Sequence, residues 1–251
     1  MTQIKVVINE KYRQLEGFVD GLPLAFLQSG EVIYSGRNLI KIFEVDGFKL
    51  NVKSFKKPLL INQIIYGTLR KSKAERSFLY AHELIKRGFH TPEPVSYMEL
   101  SRCNLLKYSL YISIHEDFDG MMRELYSGVI DGREELLRQF ALYTASLHDK
   151  KILHLDYSSG NILYKKNENN YSFYLVDLNR MTFDKPVSLD KACFNFRRLW
   201  GSDEMISFIV KEYAKARNFD EATCLRKTFN YRKKFWDTFT RQYPGAKPYE
   251  G

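Results

Sequence analysis

Asp156 and Asn161 lie five positions apart in the stretch His154-Leu155-Asp156-Tyr157-Ser158-Ser159-Gly160-Asn161, and Asp177 follows 21 positions after Asp156. Two carboxylates and one side-chain amide make a donor set with a definite use. One carboxylate can orient an acceptor hydroxyl and take its proton. The second, together with the neutral amide oxygen, can hold Mg2+ against the phosphates of ATP. Phosphoryl transfer to an alcohol needs one group more, a lysine that steadies the α- and β-phosphates. Each of these residue types is also an ordinary turn former, so the surrounding elements decide what the spacing means.

Upstream, Leu136, Leu137, Phe140, Tyr143, Thr144 and Leu147 recur at helical spacing, which predicts a helix from about Arg133 to His148 that delivers the chain into the loop. His148, at its end, reads as a packing residue. Downstream, an apolar run follows Asn161, the polar stretch Lys165 to Asn170 reads as a hairpin tip, and Tyr171–Val176 reads as the strand that ends at Asp177. In the first quarter, Glu31–Tyr34, Leu39–Val45 and Phe48–Phe55 read as antiparallel strands, with Asp46-Gly47 as a two-residue hairpin turn. Leu50 and Val52 then share one face of the third strand, and Asn51 and Lys53 the other. Ser72 opens a helix that runs to about Arg87 and stops at Gly88, Pro92 and Pro94 punctuate the chain after it, and Leu105–His115 predicts one or two further strands. Everything after Ser188 reads as helix. The expected fold is α+β, with a strand-rich lobe over residues 1–115 and a mostly helical lobe over 116–251.

The joint pattern of helix, HxDxxxxN, strand, hairpin, strand and Asp resembles the protein-kinase-like superfamily. More narrowly, "HLDYSSGNIL…YLVDLNR", "SKAERSFLYAHELIKRGFHTPEP" and "NFRRLW" resemble the Kdo/WaaP-type lipopolysaccharide kinases, over roughly residues 30 to 200. That resemblance implies a two-lobed kinase fold, with Asp156 as catalytic base, Asn161 and Asp177 as Mg2+ ligands, and His154 as an organiser of the loop. It also implies that Lys53, in "LNVK", takes the place of the lysine in the kinase "VAIK" strand. The other reading of Lys53 is a solvated strand lysine. Asn51 departs from the small alanine of that pattern, which leaves the nucleotide preference open. Gly36 and Arg37, in the turn Ser35–Asn38, stand where a nucleotide-covering loop belongs, although Gly36 is the one glycine in that turn. Glu75 either pairs with Lys53 or closes a capping box with Ser72, and Glu83 is its rival for the ion pair.

No A-P-E motif and no long activation segment follow Asp177, which favours a sugar hydroxyl over a peptide as acceptor. Arg180 either meets phosphate or an anionic substrate, or forms a salt bridge. The alternatives to a kinase of a Kdo or heptose sugar are a small-molecule kinase of aminoglycoside or choline type, an atypical protein kinase, and a non-catalytic kinase-fold scaffold.

Composition bounds these readings. Aromatic residues make up 15% of the 251, which argues against disorder, and no 18-residue apolar stretch marks a membrane span. The start, MTQIKVVINEKYRQ, lacks a signal-peptide pattern. Three scattered cysteines suggest neither a zinc knuckle nor a disulfide framework, so a reducing cytoplasm is the expected compartment. The net charge of +9 points to anionic company. No nucleic-acid-binding motif is recognisable, and no nucleic acid is expected. The basic and aromatic residues Arg226, Lys227, Arg232, Lys233, Lys234, Phe235, Trp236 and Arg241 rest on the anionic inner membrane from its inner face, grip RNA, or form an aromatic core stripe with a solvated basic face.

Overall fold

The structure is a computed structural model that describes residues 2–56, 71–103, 105–126, 129–168 and 170–246. The chain divides into two compact units, Met1–Asp117 and Phe118–Gly251.

The first unit is built on a six-stranded antiparallel sheet. Its strands are β1 (Thr2–Ile8), β2 (Glu31–Ser35), β3 (Leu39–Val45), β4 (Phe48–Ser54), β5 (Pro94–Arg102) and β6 (Leu105–Ile114), in the order β1-β5-β6-β4-β3-β2. Asp46 and Gly47 both take positive φ, +50° and +78°, which matches the right-handed twist of the strands they join and sets Val45 opposite Phe48. That register turns Leu50 and Val52 into the core, where both are fully buried, and leaves Asn51 and Lys53 on the opposite face. The stretch Leu105–His115 is one strand, and Pro94, read as punctuation, begins another. Proline is tolerated there because the first residue of a strand can dispense with a ladder N–H.

The first quarter also holds a helix that the sequence reading did not expect, α1 (Glu16–Gln28). Gly17, Gly21 and Pro23 argue against a helix on propensity. Burial of Val19, Leu22 and Phe26 on one stripe against the sheet overrides them. Lys41 of β3 is buried and donates from Nζ to the carbonyls of Phe26 and Ser29 at 2.8 and 2.7 Å, which caps the C-terminus of α1 with a cation. The second helix, α2 (Lys73–Lys86), starts where Ser72 accepts from the Glu75 N–H and ends at Gly88, whose φ is +83°.

The second unit carries β7 (Gly120–Met121), α3 (Glu134–Asp149), β8 (Leu153–His154), β9 (Ile162–Asn167), β10 (Asn170–Leu175), β11 (Met181–Thr182), α4 (Leu189–Phe196), α5 (Asp203–Ala216) and α6 (Glu221–Gln242). Strands β9 and β10 form the expected hairpin, and β8 pairs with β11. Leu136, Leu137, Phe140, Thr144 and Leu147 of α3 are buried, as their spacing predicts. The basic, aromatic helix α6 splits its residues between core and solvent. Trp236 packs edge-on against Trp200 at 5.6 Å, Arg232 is buried, and Lys233 and Lys234 are exposed. Arg232 donates to the carbonyls of Leu199 and Gly201 and so ties α6 to the segment that follows α4.

Arg232→Met would leave those two carbonyls buried without their donor. Unfolding in urea is expected to show a loss of about 2–4 kcal/mol; a loss below about 0.5 kcal/mol would mean that the guanidinium does not hold the α4–α6 connection.

Candidate active site

His154 is the hub of the loop. It is 2% exposed, and its two ring nitrogens face two backbone groups, the Asp156 N–H at 3.1 Å from Nδ1 and the Val176 carbonyl at 3.1 Å from Nε2. A backbone N–H can only donate and a carbonyl can only accept, so Nδ1 carries the lone pair and Nε2 the proton. Burial lowers the pKa of the ring and keeps it in that neutral form. One imidazole thereby joins the residue before Asp177 to the backbone of Asp156.

Further bonds close the same knot. Leu155 donates to the Arg180 carbonyl at 2.8 Å, Val176 donates to the Asn161 carbonyl at 3.0 Å, and the Asn161 side chain donates from Nδ2 to the Asp156 carbonyl at 2.9 Å. Asn195 of α4 donates to the His154 carbonyl at 2.9 Å. Tyr157 runs inward, stacked on Phe140 of α3, and shares a hydrogen bond of 2.8 Å with Thr144. Ser159 accepts from the Trp200 N–H at 2.8 Å. The turn that spaces Asp156 from Asn161 is therefore anchored at alternate residues, Tyr157 on α3 and Ser159 on the segment after α4.

Asp177 takes φ +57°, in the left-handed region that aspartate tolerates better than most residues, and the Asn179 amide donates to its Oδ1. Asp156 is 20% exposed at its side chain. Its Oδ1 meets Arg198, and its Oδ2 lies 3.8 Å from Arg180. His154, Asp156, Asn161 and Asp177 are thus brought together within the second unit.

The donors left to this cluster suit a hard divalent cation. Asn161 has committed its NH2 to a backbone carbonyl, which leaves Oδ1 to act as a ligand, and Asp177 adds carboxylate oxygens oriented by Asn179. Among the described residues no group of three or more His, Cys, Asp or Glu could form a closed cage. Mg2+ does not require one, since it binds through one or two carboxylates plus phosphates and water.

The four remaining candidates belong to the first unit. Lys53 sits on β4 opposite Ile40 and Tyr111, with Nζ 5.3 Å from the Phe55 ring centre. Glu75 lies 3.4 Å from Lys5 on β1, and its N–H is capped by Ser72, while Glu83 pairs with Arg87 at 2.6 Å. Gly36 and Arg37 form the exposed turn between β2 and β3, where the Gly36 N–H donates to the Asn38 carbonyl at 3.0 Å. A Cβ at Gly36 would meet only the hydroxyl end of the exposed Tyr34 side chain, which can swing aside.

The sequence model of the lipopolysaccharide kinase (Kdo/WaaP) family matches residues 26–218. The chain belongs to that family. As a lipopolysaccharide kinase it phosphorylates a sugar hydroxyl and uses ATP, which selects the sugar acceptor over the aminoglycoside, choline and protein acceptors and over a non-catalytic scaffold. Among solved structures it is similar to one described as "WaaP in complex with acyl carrier protein", with a TM-score of 0.61 and 16% sequence identity over 92% of this chain and 99% of that one. That likeness shows a shared kinase-like fold. Compared by sequence with curated proteins, the chain matches none.

Four residues of this kinase site carry no motif of their own. Asn179 two positions after Asp177, Asn195, Arg197 and Arg198 are set by chain folding, and the sequence signal for the last three was the run "NFRRLW", which carried the family resemblance without giving them roles. His148, expected to pack at a helix end, does so with a partner. It is 3% exposed and meets the Tyr213 hydroxyl at 2.8 Å, and its pKa is lowered to about 3 by burial and by the charge of Arg217. The unfolded chain binds a proton near pH 6.5 that the folded one refuses, so stability is complete above that pH and falls as pH drops toward 3. Urea titrations between pH 7 and 4 are expected to lose about 1.4 kcal/mol per pH unit from this residue. His148→Gln, which has no proton to gain, is expected to flatten that slope; an unchanged slope would assign the loss to other groups.

Proposed function

We propose that this lipopolysaccharide kinase transfers the γ-phosphate of ATP to a hydroxyl of Kdo or heptose in the lipopolysaccharide core, with Asp156 as the base, Asn161 and Asp177 as Mg2+ ligands and Lys53 at the phosphates. The observation that carries this assignment is the His154 bridge, which holds the Asp156 backbone and the residue before Asp177 in one fixed relation. A base and a metal-holding carboxylate have to keep a set spacing, because a misplacement of 1 Å costs far more rate than one weak bond costs stability.

In this reading the acceptor hydroxyl donates to the Asp156 carboxylate, which orients it and takes its proton as the oxygen bonds to phosphorus. The Lys53 ammonium offsets charge on the nucleotide phosphates, as the lysine of the kinase strand does. Bound Mg2+ would supply neutralisation of the phosphate oxygens. The Asn161 Oδ1 and the Asp177 carboxylate are the groups we assign to hold it. His154 moves no proton: its one N–H is spent on Val176, and its role is to keep the loop in register. Gly36 and Arg37 are assigned to the nucleotide as a tight turn with an added cation. For Glu75 the ion pair with Lys5 and the cap at Ser72 support a structural role.

The acceptor class also bears on location. No helix among the described residues is long and apolar enough to cross a membrane, so a lipid-linked acceptor would be met peripherally. The exposed Arg226, Lys233, Lys234 and Arg241 of α6 support contact with the anionic inner face of the inner membrane, at roughly 1 kcal/mol for each charge near the surface.

Purified protein assayed with Mg·ATP and lipid A–core fractions is expected to label the glycolipid and leave a generic protein acceptor unlabelled. Asp156→Asn is expected to lower kcat by about 10²–10⁴ with little change in the KM for ATP, and Asp177→Asn to abolish Mg2+-dependent nucleotide binding. Transfer to protein alone, or full activity in Asp156→Asn, would refute the assignment.

A further inference from the structure

Asp156 is surrounded by more positive charge than a base needs. Arg198 meets Oδ1, and Arg180 lies 3.8 Å from Oδ2, close enough to attract the carboxylate without a hydrogen bond. Arg197 completes a group of three. Its guanidinium carbon sits 3.5 Å from the centre of the Phe194 ring, and its pKa is lowered to about 10 by burial and then by the charge of Arg198, with Arg180 adding to the effect. Arg197 and Arg198 also sit near the Phe235 ring of α6, at 5.9 and 5.5 Å from its centre.

Two guanidiniums on one carboxylate, with Arg197 beside them in sequence, leave positive charge that Asp156 alone does not neutralise. The assigned role of Asp156 poses a second difficulty. One of its oxygens has to accept from the acceptor hydroxyl, yet both face arginines. A negative group on the incoming substrate answers both points. It would draw Arg198 and Arg180 onto itself, for which a guanidinium fork is well shaped, and would release a carboxylate oxygen to the hydroxyl. The two arginines are reachable from solvent, with side chains 27% and 59% exposed.

We propose that Arg198 and Arg180 form a clamp for an anionic group, a carboxylate or a phosphate, carried by the acceptor sugar beside the hydroxyl that is phosphorylated. The proposal rests on the acceptor assignment made above and deepens it: the enzyme selects a charged sugar, and the charge it reads frees the base. The transferred phosphate of ATP offers the same oxyanion chemistry, but it would leave a different kinetic mark.

The test uses the full chain with three acceptors: a lipid A–core fraction containing Kdo, the same fraction with its carboxyl groups reduced to alcohols, and the same fraction after dephosphorylation. Removing the anion that the clamp reads is expected to lower kcat/KM about 10- to 100-fold for the wild-type protein. Arg198→Lys, Arg198→Gln and Arg180→Gln are expected to raise the KM for the intact acceptor by a similar factor while the KM for ATP stays constant. Their preference for the charged acceptor should shrink toward one, because a clamp already removed cannot miss its ligand. Arg180 is exposed enough that Arg180→Gln tests the clamp even if the Arg198 variants melt early.

A rise in the KM for ATP with an unchanged acceptor preference would assign the arginines to the nucleotide and overturn the clamp. Equal rates on all three acceptors would overturn it too, while the kinase reading would stand. Labelling of none of them would overturn both.

Discussion

The site depends on one neutral imidazole. His154 accepts from one strand of backbone and donates to another, and so joins both sides of the hairpin that separates Asp156 from Asp177. Its burial is what makes the joint dependable, because a protonated ring would lose the lone pair that the Asp156 N–H uses. A lysine at this place would offer donors but no acceptor.

Around that joint the loop is held by chemistry of several kinds, each from a different element. Tyr157 contributes apolar area and a hydroxyl toward α3, Ser159 accepts from the backbone after α4, and Asn195 reaches the His154 carbonyl from α4 itself. A loop fixed on so many elements loses little entropy when substrate arrives. In that held loop the Asp156 carboxylate faces Arg198 and, at 3.8 Å, Arg180.

Much of this was legible from residue spacing. The Asp46-Gly47 turn, the Ser72 cap and the apolar stripe of α3 all depend on neighbours along the chain, and each is found as expected. Helix α1 was not legible, because Gly17, Gly21 and Pro23 weaken the local signal and the decisive contacts come from the sheet. The basic helix α6 was ambiguous for a related reason. A lysine and a buried arginine look alike in sequence until the partner carbonyls are in place, and those of Leu199 and Gly201 lie more than 30 positions from Arg232.

By itself the sequence singled out the groups we propose for the chemistry. Asp156, Asn161 and Asp177 are spaced by a short loop and a hairpin whose geometry follows from backbone periodicity. It also pointed to the family, through the runs on either side of them. Only the tertiary structure decided what surrounds those groups: the tautomer of His154, the engagement of Asp156 by Arg180 and Arg198, and the support from Asn195, 41 positions away from its partner. Such contacts join elements distant in sequence, and they exist only once α4 and α6 have buried their apolar faces and brought those side chains to the loop.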